Sequence, residues 1–169
     1  QDEYGRRYWH RAIQLSGEIA EFTDDGKTLI GGQVWQLCDL IEKFAVPRVT
    51  IETNGIGGFA PAVMKAAIKQ RRLHCAVKDE PAIANKNKRI LEAFEPLISS
   101  AMLWAHTSVL DGPSWDQMKD FNPAVRDQPD DYIDAAAGSI VEQPERIKAN
   151  VIAKSEPARE NWQPMSGVY

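Results

Sequence analysis

Cysteine and histidine are scarce in this sequence: two Cys and three His in 169 residues. Cys38 and Cys75 both sit in apolar-patterned segments, so no disulfide framework is expected and a reducing compartment is the default. Neither cysteine is tied to a His or Asn by a nucleophile motif. His10, His74 and His106 are scattered and lack the close His-His spacing of a zinc site. No serine has a G-x-S-x-G context. Long apolar runs are missing too: nothing approaches the ~18 consecutive residues of a membrane helix, so no membrane partner is expected. The start, Gln1-Asp2-Glu3-Tyr4, has neither the basic nor the apolar region of a secretory signal. The chain also lacks internal repeats and low-complexity tracts. What is there is ordinary for a globular domain, 43% hydrophobic and 26% charged, which disfavours a wholly disordered chain.

The net charge of −4 argues at first against a nucleic-acid partner. It hides an asymmetry. Residues 65–89 carry Lys65, Lys69, Arg71, Arg72, Lys78, Lys86, Lys88 and Arg89 against only Asp79 and Glu80, a local charge of +6 that leaves −10 elsewhere. A basic stripe in an acidic body suits a polyanion, or is simply a solvated helix face. The acids include Asp127, Asp130, Asp131 and Asp134 close together, and clustered carboxylates repel unless something positive sits among them.

Alternation and turn signals over residues 7–30 predict a β-meander, with strands at Arg7 to Leu15 and Glu18 to Phe22. Val34, Leu37, Cys38 and Ile41 recur at helical spacing, giving a helix over 33–45 stopped by Pro47. Arg48 to Thr53 alternates at period two and predicts a strand. Then follow a glycine-rich loop, a helix from Pro61 to Gln70, a strand over 73–77 and a helix capped by Asn85. A strand over 102–106, a short helix at Gly112-Pro113 and a helix from Pro129 to Val141 complete the pattern. The order predicts an α/β fold: a mixed sheet, antiparallel meander then parallel strands, with helices on both faces. Domain 1–142 is followed by a tail, 143–169, without periodicity, whose ordering the sequence leaves open; Trp162 is the residue that would dock it. Trp9, Trp35, Trp104 and Trp115 fit core positions. His106 ends a strand and either nears a site at the strand ends or caps a turn.

Two acidic features carry chemistry. Glu52 sits near the end of an apolar strand, just before Asn54-Gly55-Ile56-Gly57-Gly58. A carboxylate there must be paired, metal-bound or solvated, and ligand sites in such sheets favour the carboxyl ends of strands; loop amides are the structural alternative. In Asp130-Asp131-Tyr132-Ile133-Asp134-Ala135-Ala136-Ala137-Gly138, Asp134 shares a helix face with both Asp130 and Asp131, and the small residues behind it suit close approach to a sheet. Magnesium is held by carboxylate oxygens together with substrate phosphates. A solvated acidic first turn explains Asp130 and Asp131 but not the third acid.

The runs VTIETNGIGG, NKNKRI and DDYIDAAAG, in that order, resemble the C-terminal nuclease domain of bacteriophage large terminases over roughly residues 2–142. The resemblance implies an RNase H-like, RuvC-like fold and metal-dependent cleavage of concatemeric double-stranded DNA during packaging. It implies Glu52, Asp131 and Asp134 as catalytic residues, and Glu52, Asp130, Asp131 and Asp134 as ligands of two Mg²⁺ or Mn²⁺ ions. Asp131 and Asp134 are not ranked. Lys78, Lys86, Lys88 and Arg89, with Gly55 and Gly57, are the expected DNA contacts, giving largely sequence-independent binding. Portal protein and small terminase subunit are implied partners, and the host cytoplasm, transiently at the procapsid portal, the implied location.

The family's first acidic motif, an Asp on the opening strand, has no counterpart, and the chain is expected to begin just past it; Asp2 is the one substitute. A chain without that Asp is expected to be a poor nuclease. The family's ATPase motif G-x-x-x-x-G-K-[ST] is absent as well. Two other readings share parts of this pattern: a RuvC-like resolvase or transposase core, and a catalytically inactive DNA-binding or docking module.

Overall fold

The computed structural model describes residues 2–53, 58–81, 85–125, 127–142 and 161–165. They hold seven strands and six helices, a mixed α/β chain as expected. The chain divides into two compact units, Gln14–Ile83 and a second made of Gln1–Ile13 with Ala84–Tyr169.

Within Gln14–Ile83, β2 (Glu21–Phe22) and β3 (Leu29–Gly31) pair antiparallel. Helix α1 (Gln33–Phe44) follows, entered through Gly32 at φ 90°. A Cβ there would stand 2.8 Å from Ala20 Cα and from the Glu18 carbonyl, so both the dihedral and the space demand glycine. Ala45, in the left-handed region at φ 49°, ends the helix before Pro47. Strand β4 (Arg48–Thr53), helix α2 (Ala60–Gln70) and strand β5 (Ala76–Pro81) form a β-α-β unit with the strands parallel. Its core is Val34, Cys38 and Ile41 of α1 against Met64, Ala67 and Ile68 of α2, with Val49, Ile51 and Val77 packed on them. Burial of the i, i+4, i+7 stripe is what turns the sequence periodicity into a fixed helix face.

In the other unit, β6 (Leu103–His106) is central, flanked by β1 (Arg7–Trp9) in parallel and β7 (Trp162–Pro164) antiparallel. Helix α3 (Lys86–Ser99) supplies Ile90, Ala93, Phe94 and Ile98 to the core. Leu103 and Ala105 of β6, Ile133 and Ala137 of α6 (Asp131–Val141), and Met165 close it. Helices α4 (Thr107–Leu110) and α5 (Pro113–Asp120) add Val109 and Met118.

Several expectations are corrected. The meander reduces to β2 and β3; β1 is short and lies parallel to β6. Alternation marks a half-buried strand but not its partner, and Trp9 is drawn to Phe94, ring centroids 5.7 Å apart, in the β6 unit. The strand expected at 73–77 runs Ala76–Pro81, because pairing of Arg48 with Ala76 sets its start. The small-residue face of α6 packs chiefly on α3 and α5 rather than on a sheet. Trp9, Trp35 and Trp115 pack on the cores while remaining partly exposed. Trp104 instead lies under the Arg6 guanidinium, 5.6 Å from its ring centroid. Trp162 docks through β7, against Tyr8, His10 and His106. The His106 ring caps α4, Nδ1 accepting from the Ser108 amide.

Candidate functional site

The acids near residue 130 acquire their geometry from two helix starts. Asn85 caps α3, its side chain accepting from the Lys88 amide at 3.1 Å. That fixes the first turn of α3 and puts Lys86 and Arg89, three apart, on one face. Asp130 is the N-cap of α6, and Asp131 and Asp134 lie in its first turn, where carboxylates complement the helix dipole. Because α3 packs on α6, the basic face of one start meets the acidic face of the other.

The Lys86 ammonium stands 2.5 Å from Asp130 Oδ1, 3.6 Å from Asp134 Oδ2 and 3.8 Å from Asp131 Oδ1. Arg89 donates from Nε at 3.1 Å and Nη2 at 2.6 Å to the other oxygen of Asp134, Oδ1. Three carboxylates thus face two cations. The Arg89 and Asp134 side chains are only 10% and 12% exposed, whereas Asp131 is 95% exposed. Asp134 is the enclosed acid and Asp131 the open one, a ranking that helical spacing does not give. Burial alone would lower the Lys86 pKa; the hydrogen bond to Asp130 and the charges of Asp134, Asp130 and Asp131 outweigh it and raise it.

An open recess of about 780 Å³ adjoins this cluster, lined by Asn85, Lys86, Asn87, Asp127, Gln128, Asp130 and Asp131. Asn87 donates to the carbonyls of Pro123 and Val125, and Gln128 bonds the backbone of Asn122, so the recess has tied walls. Among the described residues, no three or more His, Cys, Asp or Glu side chains are grouped so as to hold a metal ion.

Glu52 belongs to the other unit. It is an exposed residue near the end of β4, in register with Glu80 of β5. Glu80 escaped the sequence reading as a site neighbour; only the β4–β5 register places it there. Lys78 lies 3.4 Å from Glu80 Oε1. Gly55 and Gly57 fall outside the described residues.

The basic window is not one open stripe. Lys65 to Lys78 belong to the β4–β5 unit and Lys86 to Arg89 to the β6 unit. Lys65 pairs with Asp79, Lys78 with Glu80, Lys88 with Glu92, and Arg71 with Asp39 and Glu42. Lys86 and Arg89 face the acids because Asp130 and Asp134 stand opposite them on α6.

Asp2, the one candidate for the first acidic motif, is occupied locally. It accepts from Arg6 Nε at 2.7 Å, the Tyr8 hydroxyl at 2.9 Å and two backbone amides. Burial would raise its pKa, but the Tyr8, backbone and Arg6 hydrogen bonds together lower it.

No curated protein matches the chain. Residues 21–103 match the family model described as Terminase Bacteriophage T7, Ribonuclease H-like domain, a stretch that contains Glu52, Lys78, Lys86, Lys88 and Arg89 and ends before Asp130, Asp131 and Asp134.

Proposed function

We propose that the chain is the nuclease domain of a viral DNA-packaging terminase, from its large subunit. It cleaves double-stranded DNA with the help of divalent metal. The observation that carries this reading is the likeness of residues 21–103 to the terminase ribonuclease H-like domain. The gathering of Asp130, Asp131 and Asp134 around one positive charge supports it from a segment beyond that match.

Asp130, Asp131 and Asp134 offer hard oxygen donors of the kind Mg²⁺ or Mn²⁺ takes, but as they stand they face the Lys86 ammonium and, among the described residues, form no metal-holding group. On the resemblance, Glu52, Asp130, Asp131 and Asp134 would be the metal ligands, with Glu52, Asp131 and Asp134 the catalytic carboxylates. A bound divalent ion supplies Lewis-acid polarisation of the phosphodiester and a more acidic water. Arg89 fixes the Asp134 carboxylate through Oδ1 and leaves Oδ2 facing the cluster. Asn85 and Asn87 hold the start of α3, and with it Lys86 and Arg89, against the recess. Lys88, 66% exposed and only loosely paired, is the α3 cation best placed to meet a phosphate. Portal protein and small terminase subunit are the proposed partners, at the procapsid portal in the host cytoplasm.

The test is nicking of supercoiled plasmid in Mn²⁺ or Mg²⁺ by the unaltered chain, Glu52→Ala and Asp134→Asn, with folding checked by circular dichroism. Metal-dependent nicking lost in both variants is the expected result. A second reading, an inactive docking module, draws on the internal pairing of the acids with Lys86 and Arg89. Absence of nicking both by this chain and by one extended at its N-terminus would select it.

A further inference from the structure

The sheet of β1, β6 and β7 has two unlike faces. Alternation along β6 sends Leu103 and Ala105 into the core with Phe94 and Ile133, and leaves Trp104 and His106 half-buried on the opposite face. Register adds neighbours on that face: Tyr8 of β1 pairs with Trp104, and Trp162 of β7 with His106. The rings then meet. Trp162 stacks on His10 with centroids 5.6 Å apart, and makes T-shaped contacts with His106 at 5.4 Å and Tyr8 at 5.2 Å. Beside them the Arg6 guanidinium lies over Trp104 at 5.6 Å and over Tyr4 at 5.0 Å.

This face differs from an ordinary apolar patch. Its strand residues, Tyr8, Trp104, His106, Trp162 and Pro164, include no Ile, Leu or Val. The indole N–H groups of Trp104 and Trp162 are buried without an acceptor among the described residues, so both side chains are held by their rings and not by their polar ends. Burial, Arg11 and His106 hold the His10 pKa below its ordinary value, which leaves an uncharged ring at neutral pH. Tyr4 and Tyr8 are 67% and 40% exposed. Arg6 is bonded to Asp2 through Nε, and its two Nη groups have no hydrogen-bond partner among the described residues. Planar bases stack on planar rings whatever their sequence, and a guanidinium beside the rings can meet the phosphate that links the bases.

We propose that this face is a stacking platform for unpaired nucleotides, with bases on Tyr4 and Tyr8 and a phosphate on Arg6. It goes beyond the nuclease reading: it uses none of the carboxylates at the start of α6 and needs neither metal nor cleavage. The platform is built from three strands whose other face is core, so it is rigid before a strand arrives. It takes single strands and not duplexes, because paired bases keep their faces stacked on one another.

The experiment is fluorescence anisotropy of a labelled oligothymidylate of about 12 nucleotides, within the site size of such platforms, titrated with the full chain in EDTA. The matching duplex, an abasic strand of the same length, the uridine oligoribonucleotide and a proline-rich peptide are titrated alongside. The thymidine or the uridine strand should bind at least about tenfold tighter than the duplex and the abasic strand, the two together telling DNA from RNA. Tyr4→Ala and Tyr8→Leu should each weaken binding by about 5- to 150-fold, the worth of one stacked base. Arg6→Gln should reduce the salt slope by about 0.7. Equal binding of duplex or abasic strand would overturn the proposal, since phosphates alone would then suffice. Unchanged affinity in both tyrosine variants would overturn it too, as would binding of the peptide alone, which would make the face a peptide groove. Should a tyrosine variant fail to fold, the unaltered chain decides: Trp emission quenched by the oligothymidylate and not by the abasic strand supports the platform, and equal or absent quenching refutes it. With EDTA present no outcome depends on nicking, so loss of the nuclease reading leaves this proposal standing, and the reverse.

Discussion

Asp134→Ala probes the pair that organises the α3–α6 junction. Arg89 and Asp134 are 10% and 12% exposed, and two donors of Arg89 converge on Asp134 Oδ1 at 3.1 and 2.6 Å. Removing the acid takes from the Arg89 guanidinium the oxygen on which two of its donors converge. Breaking such a buried pair costs about 3–5 kcal/mol. Lys86 retains Asp130, and its own exposure softens the change, so the lower end, about 3 kcal/mol, is expected. At roughly 2–4 °C per kcal/mol for a chain of this length, Tm should fall by about 6–12 °C at neutral pH. Arg89→Met alone should also destabilise, by leaving Asp134 with only the partly exposed Lys86. The double variant Asp134→Ala with Arg89→Met removes both charges and should recover part of the loss, giving a coupling energy of about 1.5 kcal/mol or more within the 0.5–3 kcal/mol expected of contacting residues. Urea melts followed by circular dichroism measure all four corners of the cycle. A loss under about 1 kcal/mol with coupling below about 0.5 kcal/mol, the value of an exposed pair, would refute the enclosed geometry.

Other outcomes follow from single features. Phe94, fully buried and in contact with Trp9, should cost about 3–5 kcal/mol as Phe94→Ala, read by the urea midpoint. Asn85→Ala removes the cap on the Lys88 amide and should cost about 1 kcal/mol, with fraying confined to the first turn of α3 in amide hydrogen exchange. Asp2 has a folded pKa below its ordinary value, so its contribution is present above about pH 4 and is lost as pH falls through the folded value. The Tm difference between Asp2→Asn and the unaltered chain should therefore be seen at pH 7 and shrink as pH falls through the folded value; a difference that does not shrink on acidification would show that it does not come from the carboxylate charge.

Helix existence was legible where the apolar stripe repeats. Val34, Cys38 and Ile41 on α1, and Ile90, Phe94 and Ile98 on α3, are buried as their spacing requires. The Asn85 cap was legible too, since it is a contact across three residues. The pairing of β1 was not, because Arg7 meets Leu103 across nearly a hundred residues and alternation carries no address. The short α4 was missed as well: only the His106 and Ser108 contact marks its start.

By itself the sequence determined which residue types are available and the local rules they obey. The acids at 130, 131 and 134 share a helix start, Lys86 and Arg89 share another, and Glu52 ends a strand. Charge counting over residues 65–89 summed those cations into one basic window, as though charge near in sequence were near in space. Only the tertiary structure decided otherwise. It divided the window between two units and, by packing α3 on α6, placed Lys86 and Arg89 against the acids. It also separated Asp134 from Asp131 in burial, because burial depends on what a neighbouring helix covers and not on helical spacing, which both residues satisfy equally.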